Sequence, residues 1–208
     1  MNQDRHGKGM SIAAGLPKSA QRLQEYLRTA IFDNAFTGTA GVDGAPLVDD
    51  SHDSPQARGP AWDNEISGAL TRSTWQSMRL LADKQTDEYG YAAPQTINRL
   101  LIPADLRQTA TELKLSDLDP ETSLNTKNVL VGFEIVIGHS LSSTTAFFGV
   151  SDQVGGPDGG LYRIVNEELN IKDAKPSDNP DIVWAKRSKM ILTYGFTYSR
   201  GIYGSVGT

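Results

Sequence analysis

The hydrophobic period of this 208-residue chain changes partway along it, from about 3.6 residues to two, and that change restricts the fold more than any other feature. Leu16, Ala20, Leu23, Leu27 and Ile31 recur at helical spacing, with Gln21, Gln24, Glu25 and Arg28 between them. Pro17 suits a first helical turn, where its missing N–H costs nothing, so the pattern predicts one amphipathic helix from about Leu16 to Ala35. From Asn128 onward the period is two. Val129, Val131, Phe133, Ile135 and Ile137 fall on one side of a strand, and TTAFFGV forms another after a turn at GHSLSS. Leu161 to Val165 can make a short strand. Met190, Leu192, Tyr194, Phe196 and Tyr198 then alternate with Ile191, Thr193, Gly195, Thr197 and Ser199 in a long terminal one. A one-striped helix and a one-faced strand each need a partner, so this strand is expected to face the Leu16–Ile31 stripe.

The middle of the chain reads helix, strand, helix. Thr71 is a cap for TRSTWQSMRLLADKQ, which would bury Trp75, Met78, Leu81 and Ala82. Leu100 to Ile102 reads as a short buried strand, and Pro103 opens PADLRQTATELK with Leu106, Ala110 and Leu113 on one face. Between the first two helices, TGTAGVDGAPLVDDSHDSPQARGP is dense in Gly, Pro, Asp and Ser and holds at most a short hairpin, with a turn at Asp43-Gly44. Gly155 to Gly160 reads as a turn and KDAKPSDNPD as a polar loop. The fold class is α+β.

Composition narrows the function. With 38% hydrophobic and 22% charged residues the chain is globular rather than disordered. No apolar run approaches the ~20 residues of a membrane span, and MNQDRHGKGMSIAAG has no apolar secretion core. Without cysteine there are no disulfides, thiolate metal sites or cysteine nucleophiles. A net charge of −5 with scattered basic residues opposes general affinity for nucleic acid; Lys186, Arg187 and Lys189 read as a solvated strand edge.

No residue set carries catalysis. Gly138-His139-Ser140-Leu141-Ser142 imitates the nucleophile elbow of hydrolases, but Ser142 stands where the second glycine belongs, and a strand-like segment follows instead of a helix. That chain order also needs a histidine after the serine, and His6, His52 and His139 all precede Ser140. Asp49, Asp50, His52 and Asp53 have the flavour of a metal site but crowd into one loop, which reads as solvated and acidic. Asp117, Asp119 and Glu121 lack calcium-loop spacing, and the glycines of 155–160 lack the Lys-Ser/Thr of a phosphate cradle. Trp62, Trp75 and Trp184 read as core or interface fillers. The expectation is no catalytic residue, no cofactor and no metal.

The order of short motifs resembles tailed-phage major capsid proteins. Asn34, Ala35 and Phe36 end a helix; Asp43, Gly44, Leu47, Ser51 and His52 match a D-G-x-x-L…S-H segment; Asn64, Leu70 and Thr71 precede a helix. Pro94 with NRLLIPADLRQTA is similar to that family's strand-Pro-helix segment, Asn125-Thr126-Lys127-Asn128 to its lead into a central sheet, and TYSRGIYG to its terminal strand, although with Tyr198-Ser199-Arg200 in place of an aromatic-Arg pair. The resemblance covers about residues 10 to 205. It implies the Hong Kong 97 fold, with a spine helix in a peripheral domain (16–70 and 161–208), a sheet-centred axial domain (71–160), and residues 1–15 as the remnant of an extended loop. The family's N-terminal arm and most of that loop are missing from the pattern, so the chain is expected to fold alone but to assemble poorly.

The resemblance further implies a structural, non-enzymatic subunit of the virion, made in the host cytoplasm. It would pair with itself in pentamers and hexamers around double-stranded DNA held without sequence-specific contacts, with scaffolding and portal proteins as further partners and no membrane. The rival reading is a phage or prophage adaptor that binds another protein and forms no shell.

Overall fold

The computed structural model describes residues 8–38, 41–53, 60–87, 89–116, 132–155, 160–174 and 185–207. Helix α1 spans Lys8–Asp33, eight residues longer at its start than the spacing predicts, so Pro17 lies inside it. The proline forfeits a single backbone bond, to the carbonyl of residue 13, and the helix continues through it. Helix α2 spans Arg72–Asp83 and begins as expected: the Thr71 hydroxyl accepts the Thr74 N–H at 3.2 Å, and Trp75, Met78 and Ala82 are buried.

Strand β1, Ile97–Ile102, starts three residues before the predicted apolar run. Pro103 then introduces a 3₁₀ turn, Ala104–Leu106, and helix α3, Arg107–Leu115, buries Ala110 and Leu113. Strand β2 is Glu134–Ile137, with Phe133 buried just before it. Val129 and Val131, predicted to extend this strand, lie outside the described residues. So do Asp117, Asp119, Glu121, residues 125–128 and Trp184. Strand β3 is Phe147–Ser151, and Asp152–Gly155 makes a 3₁₀ turn after it; 156–159, the rest of the predicted turn, are not described.

Strands β4, Leu161–Ala174, and β5, Ala185–Phe196, form a two-stranded ribbon. The expected short strand at Leu161–Val165 is therefore much too short. Its polar continuation, Asn166 to Glu168, hid it from a hydrophobic count, yet a ladder is made by backbone groups whatever the side chains are. Lys172 to Ala174, read as the start of a polar loop, belong to β4; 175–184 are outside the described residues. A last strand, β6, is Ile202–Ser205.

The chain divides into two compact units. Residues 29–162 and 195–208 make one, built on a four-stranded sheet of order β2-β1-β3-β6, with β1 parallel to β2 and the other pairs antiparallel. Successive residues point to opposite faces, and both faces are covered. Leu100, Ile102, Phe147 and Tyr203 pack with Trp75, Met78, Ala82, Ala110 and Leu113 of α2 and α3. Leu101, Phe148 and Ile202 pack on the other side with Ala35, Leu47 and Val48. Gly149 keeps α2 close, because a Cβ there would lie 2.7 Å from the Met78 sulfur. Grouping all of residues 161–208 with the first helix fails at β6, whose four residues are buried in this sheet. Strand β6 is only four residues long with Gly204 inside it, so Ile202 and Tyr203 alone carry its hydrophobic signal.

Residues 1–28 and 163–194 make the other unit. Here strand and helix meet, partly through the expected stripe, with Leu16, Ala20 and Leu23 lining a groove beside Met190. The rest of the contact is through polar residues read as lying between the stripe's positions: Gln24 Nε2 lies 3.0 Å from the Met190 sulfur, and Arg28 Nε donates to the Tyr194 hydroxyl at 3.1 Å. The alternation holds, with Met190, Leu192 and Tyr194 half-buried and Ile191 and Thr193 exposed. None is fully buried, however, and Leu23 of the predicted stripe is 49% exposed.

Candidate functional site

The segment read as a solvated acidic loop holds the most polar part of the interior. His52 has no exposed surface. Its backbone exchanges two hydrogen bonds with Trp62, at 2.8 and 3.0 Å, which stacks the two rings with centroids 4.2 Å apart. Arg200 lies over the Trp62 ring at 5.1 Å and donates through Nη1 to the Thr86 carbonyl. Solvent is excluded from the imidazole on every side, so its two nitrogens need partners within the protein.

Asn64, also without exposed surface, supplies one of them. Its Nδ2 donates to the carbonyls of Leu47 (2.9 Å) and Ile202 (2.8 Å), which fixes the amide's orientation. Oδ1 then accepts the Asp49 N–H at 2.9 Å and faces His52 Nε2 at 3.0 Å, so Nε2 carries a hydrogen. On the other side of the ring Nδ1 meets Asp43 Oδ2 at 2.6 Å, with the Ser199 hydroxyl at 3.3 Å. Gly44, at φ +83°, provides the turn that aims Asp43 inward. The segment after Asn64 then pairs with β6, through Ile66 N–H to Gly204 O at 2.8 Å and Gly204 N–H to Asn64 O at 3.0 Å.

Ser199, His52 and Asp43 are the residue types of a hydrolase triad, but their geometry is different. Serine and carboxylate share the same ring nitrogen, whereas a triad puts the serine on the opposite one, here occupied by Asn64. Ser199 is only 2% exposed, so no substrate reaches it. The arrangement is a clasp. It ties residues 43–52 and 62–66 to the C-terminal strand, and its members include Asp43, Leu47, His52 and Asn64, all residues that carried the family resemblance.

The other sequence candidates stay apart. Ser140 sits in the turn between β2 and β3, followed by a strand and not a helix, and His139 is exposed. Asp50 and Asp53 are exposed, while His52 of the same cluster turns inward; among the described residues no three acidic or histidine side chains converge as metal ligands. Trp62 and Trp75 are buried. An apolar pocket lies beside Phe32, Phe36, Leu141 and Phe148. Its rim groups are already engaged, Asp33 with the Ser142 N–H and hydroxyl, and Ser143 with the Thr145 and Ala146 N–H groups. Among the described residues no helix is long and apolar enough to cross a membrane.

At the clasp's solvent edge, like charges crowd. Burial pushes the Asp63 carboxyl above its ordinary value, opposed by the Glu65 N–H it accepts at 2.7 Å, and Asp50 adds to the rise. Burial, then Asp50, Asp49 and Asp63, raises Glu65 as well. Both carboxyls ionise less readily in the folded chain, so their contribution favours folding on acidification and is lost as pH rises through their titration. Asp50→Asn is expected to move both titrations down, with stability changed by no more than ~0.5 kcal/mol, the range of surface substitutions. Carboxyl-carbon NMR titration reads this directly, and unchanged Asp63 and Glu65 curves would refute the repulsion.

A comparison with curated proteins finds no match. The model of a family described as phage capsid protein matches residues 5–204. That span includes the helices, both sheets but for Ser205 at the end of β6, and every member of the clasp. The mixed α and β content agrees with such a fold, and the role it carries is structural, in the virion. This chain belongs to the phage capsid protein family.

Proposed function

We propose that the chain is a major subunit of a tailed-phage head of the Hong Kong 97 type, repeated in pentamers and hexamers into an icosahedral shell around double-stranded DNA. The observation that carries the reading is the family match over residues 5–204. In this scheme α1 is the spine helix of a peripheral domain that includes the β4–β5 ribbon. Residues 71–160, together with β6, form the axial domain. Scaffolding and portal proteins are the expected partners during assembly in the host cytoplasm. Function is then mechanical. A shell subunit needs a stiff body and repeated contacts, not a cleft, and a sheet covered on both faces and locked at its edge by a buried clasp suits that demand. The test is electron cryomicroscopy of particles formed when the chain is co-produced with its phage's scaffolding and portal proteins. Closed shells with this chain in every capsomer are expected. A chain found in a few copies at one vertex or on a tail would favour the adaptor reading instead.

A further inference from the structure

Among the described residues, the unit of residues 1–28 and 163–194 buries no side chain fully. Every buried residue of the described chain lies in the other unit. A two-stranded ribbon is marginal in water without a hydrophobic face packed on something else. On one ribbon face the half-buried side chains, Val165, Leu169, Met190 and Leu192, alternate with the exposed ones, and Leu169 and Met190 share a groove with Leu16 and Ala20 of α1. The opposite face has nothing against it among the described residues of its unit. It presents Ile164, 56% exposed, and Ile191, 41% exposed, with Arg187 on the same side of β5.

Charge indicates what covers this face. Eleven of the 20 basic residues but only seven of the 25 acidic ones belong to the ribbon's unit, which therefore carries +4 while the rest of the chain carries −9. A net charge of −5 conceals this polarity. Two copies offer each other opposite surfaces, and a contact between two different surfaces is head-to-tail, the kind that propagates into rings.

We propose that the outer face of the β4–β5 ribbon, centred on Ile164 and Ile191 and edged by Arg187, docks against the acid-rich body of a second copy of this chain. The proposal rests on the capsid reading for its partner and adds the surface and the force. Burying the two isoleucines supplies the apolar contact, and the opposed charges orient it.

Sedimentation of the full-length chain at micromolar concentrations tests this. Self-association is expected at ~0.1 M salt and should weaken at least ~10-fold at ~1 M, where the screening length falls from ~10 Å to ~3 Å. Ile164→Thr with Ile191→Thr preserves strand propensity and should weaken association by a similar factor, with far-UV circular dichroism unchanged. Arg187→Glu should do so at low salt and make little difference at high salt. Association unaffected by these substitutions, or strengthened by salt, would overturn the contact and leave the capsid reading intact. A wild-type chain that stays monomeric at low salt would also overturn it; whether shells form with scaffolding protein present would then decide the capsid reading separately.

Discussion

Replacing Asn64 with alanine is expected to lower the unfolding free energy by about 3–5 kcal/mol, because it orphans four buried groups whose individual costs are about 1–3 kcal/mol before relaxation. The Asp49 N–H, His52 Nε2 and the carbonyls of Leu47 and Ile202 all lose their partner at once. Asn64→Asp restores an acceptor but turns a carboxylate toward the two carbonyls, so it should fare little better. Asp53→Ala, at an exposed position one residue past His52, should change stability by less than ~0.5 kcal/mol. Chemical denaturation of the three variants decides the matter. If Asn64→Ala costs no more than Asp53→Ala, the clasp does not hold residues 43–52 and 62–66 against β6.

Phe148→Ala should be comparably severe, at about 3–5 kcal/mol for an emptied buried aromatic site. Phe148 is 1% exposed, and its ring centroid lies 5.1 Å from that of Phe32 and 5.6 Å from that of Phe36. It anchors the side of the sheet away from α2 and α3, where fewer elements can close over a void. Val136→Ala, on edge strand β2 at a site 37% exposed, should cost only ~1 kcal/mol, since more than a third of the side chain's surface is already wet. Similar midpoints for the two variants in urea would mean that the second core cluster contributes little to the sheet's stability.

Local chemistry explains what could be read directly. The Thr71 cap, the apolar spacing of Trp75, Met78 and Ala82, Pro103 before a helical turn, and the alternation at Phe133–Ile137 and Met190–Tyr194 each depend on neighbours within a few residues. The α+β class follows from such patterns. The family resemblance rested on the same short motifs, and the match over residues 5–204 agrees with it.

What the tertiary structure alone decided involves partners far apart in the chain. Asp49-Asp50-Ser51-His52-Asp53 is as polar as any solvated loop, and only Asn64, twelve residues on, and Ser199, 147 residues on, make His52 an interior residue. Strand β4 runs through Asn166, Glu167 and Glu168 because β5 satisfies its backbone, a condition absent from its own composition. Likewise β6 owes its burial to β3 on one side and to residues 64–66 on the other. Side-chain periodicity reports which face of an element avoids water, so it reveals helices and alternating strands. It carries no record of hydrogen bonds between distant backbone and polar groups, and in this protein those bonds determine where the acidic loop, the long ribbon and the C-terminal strand belong.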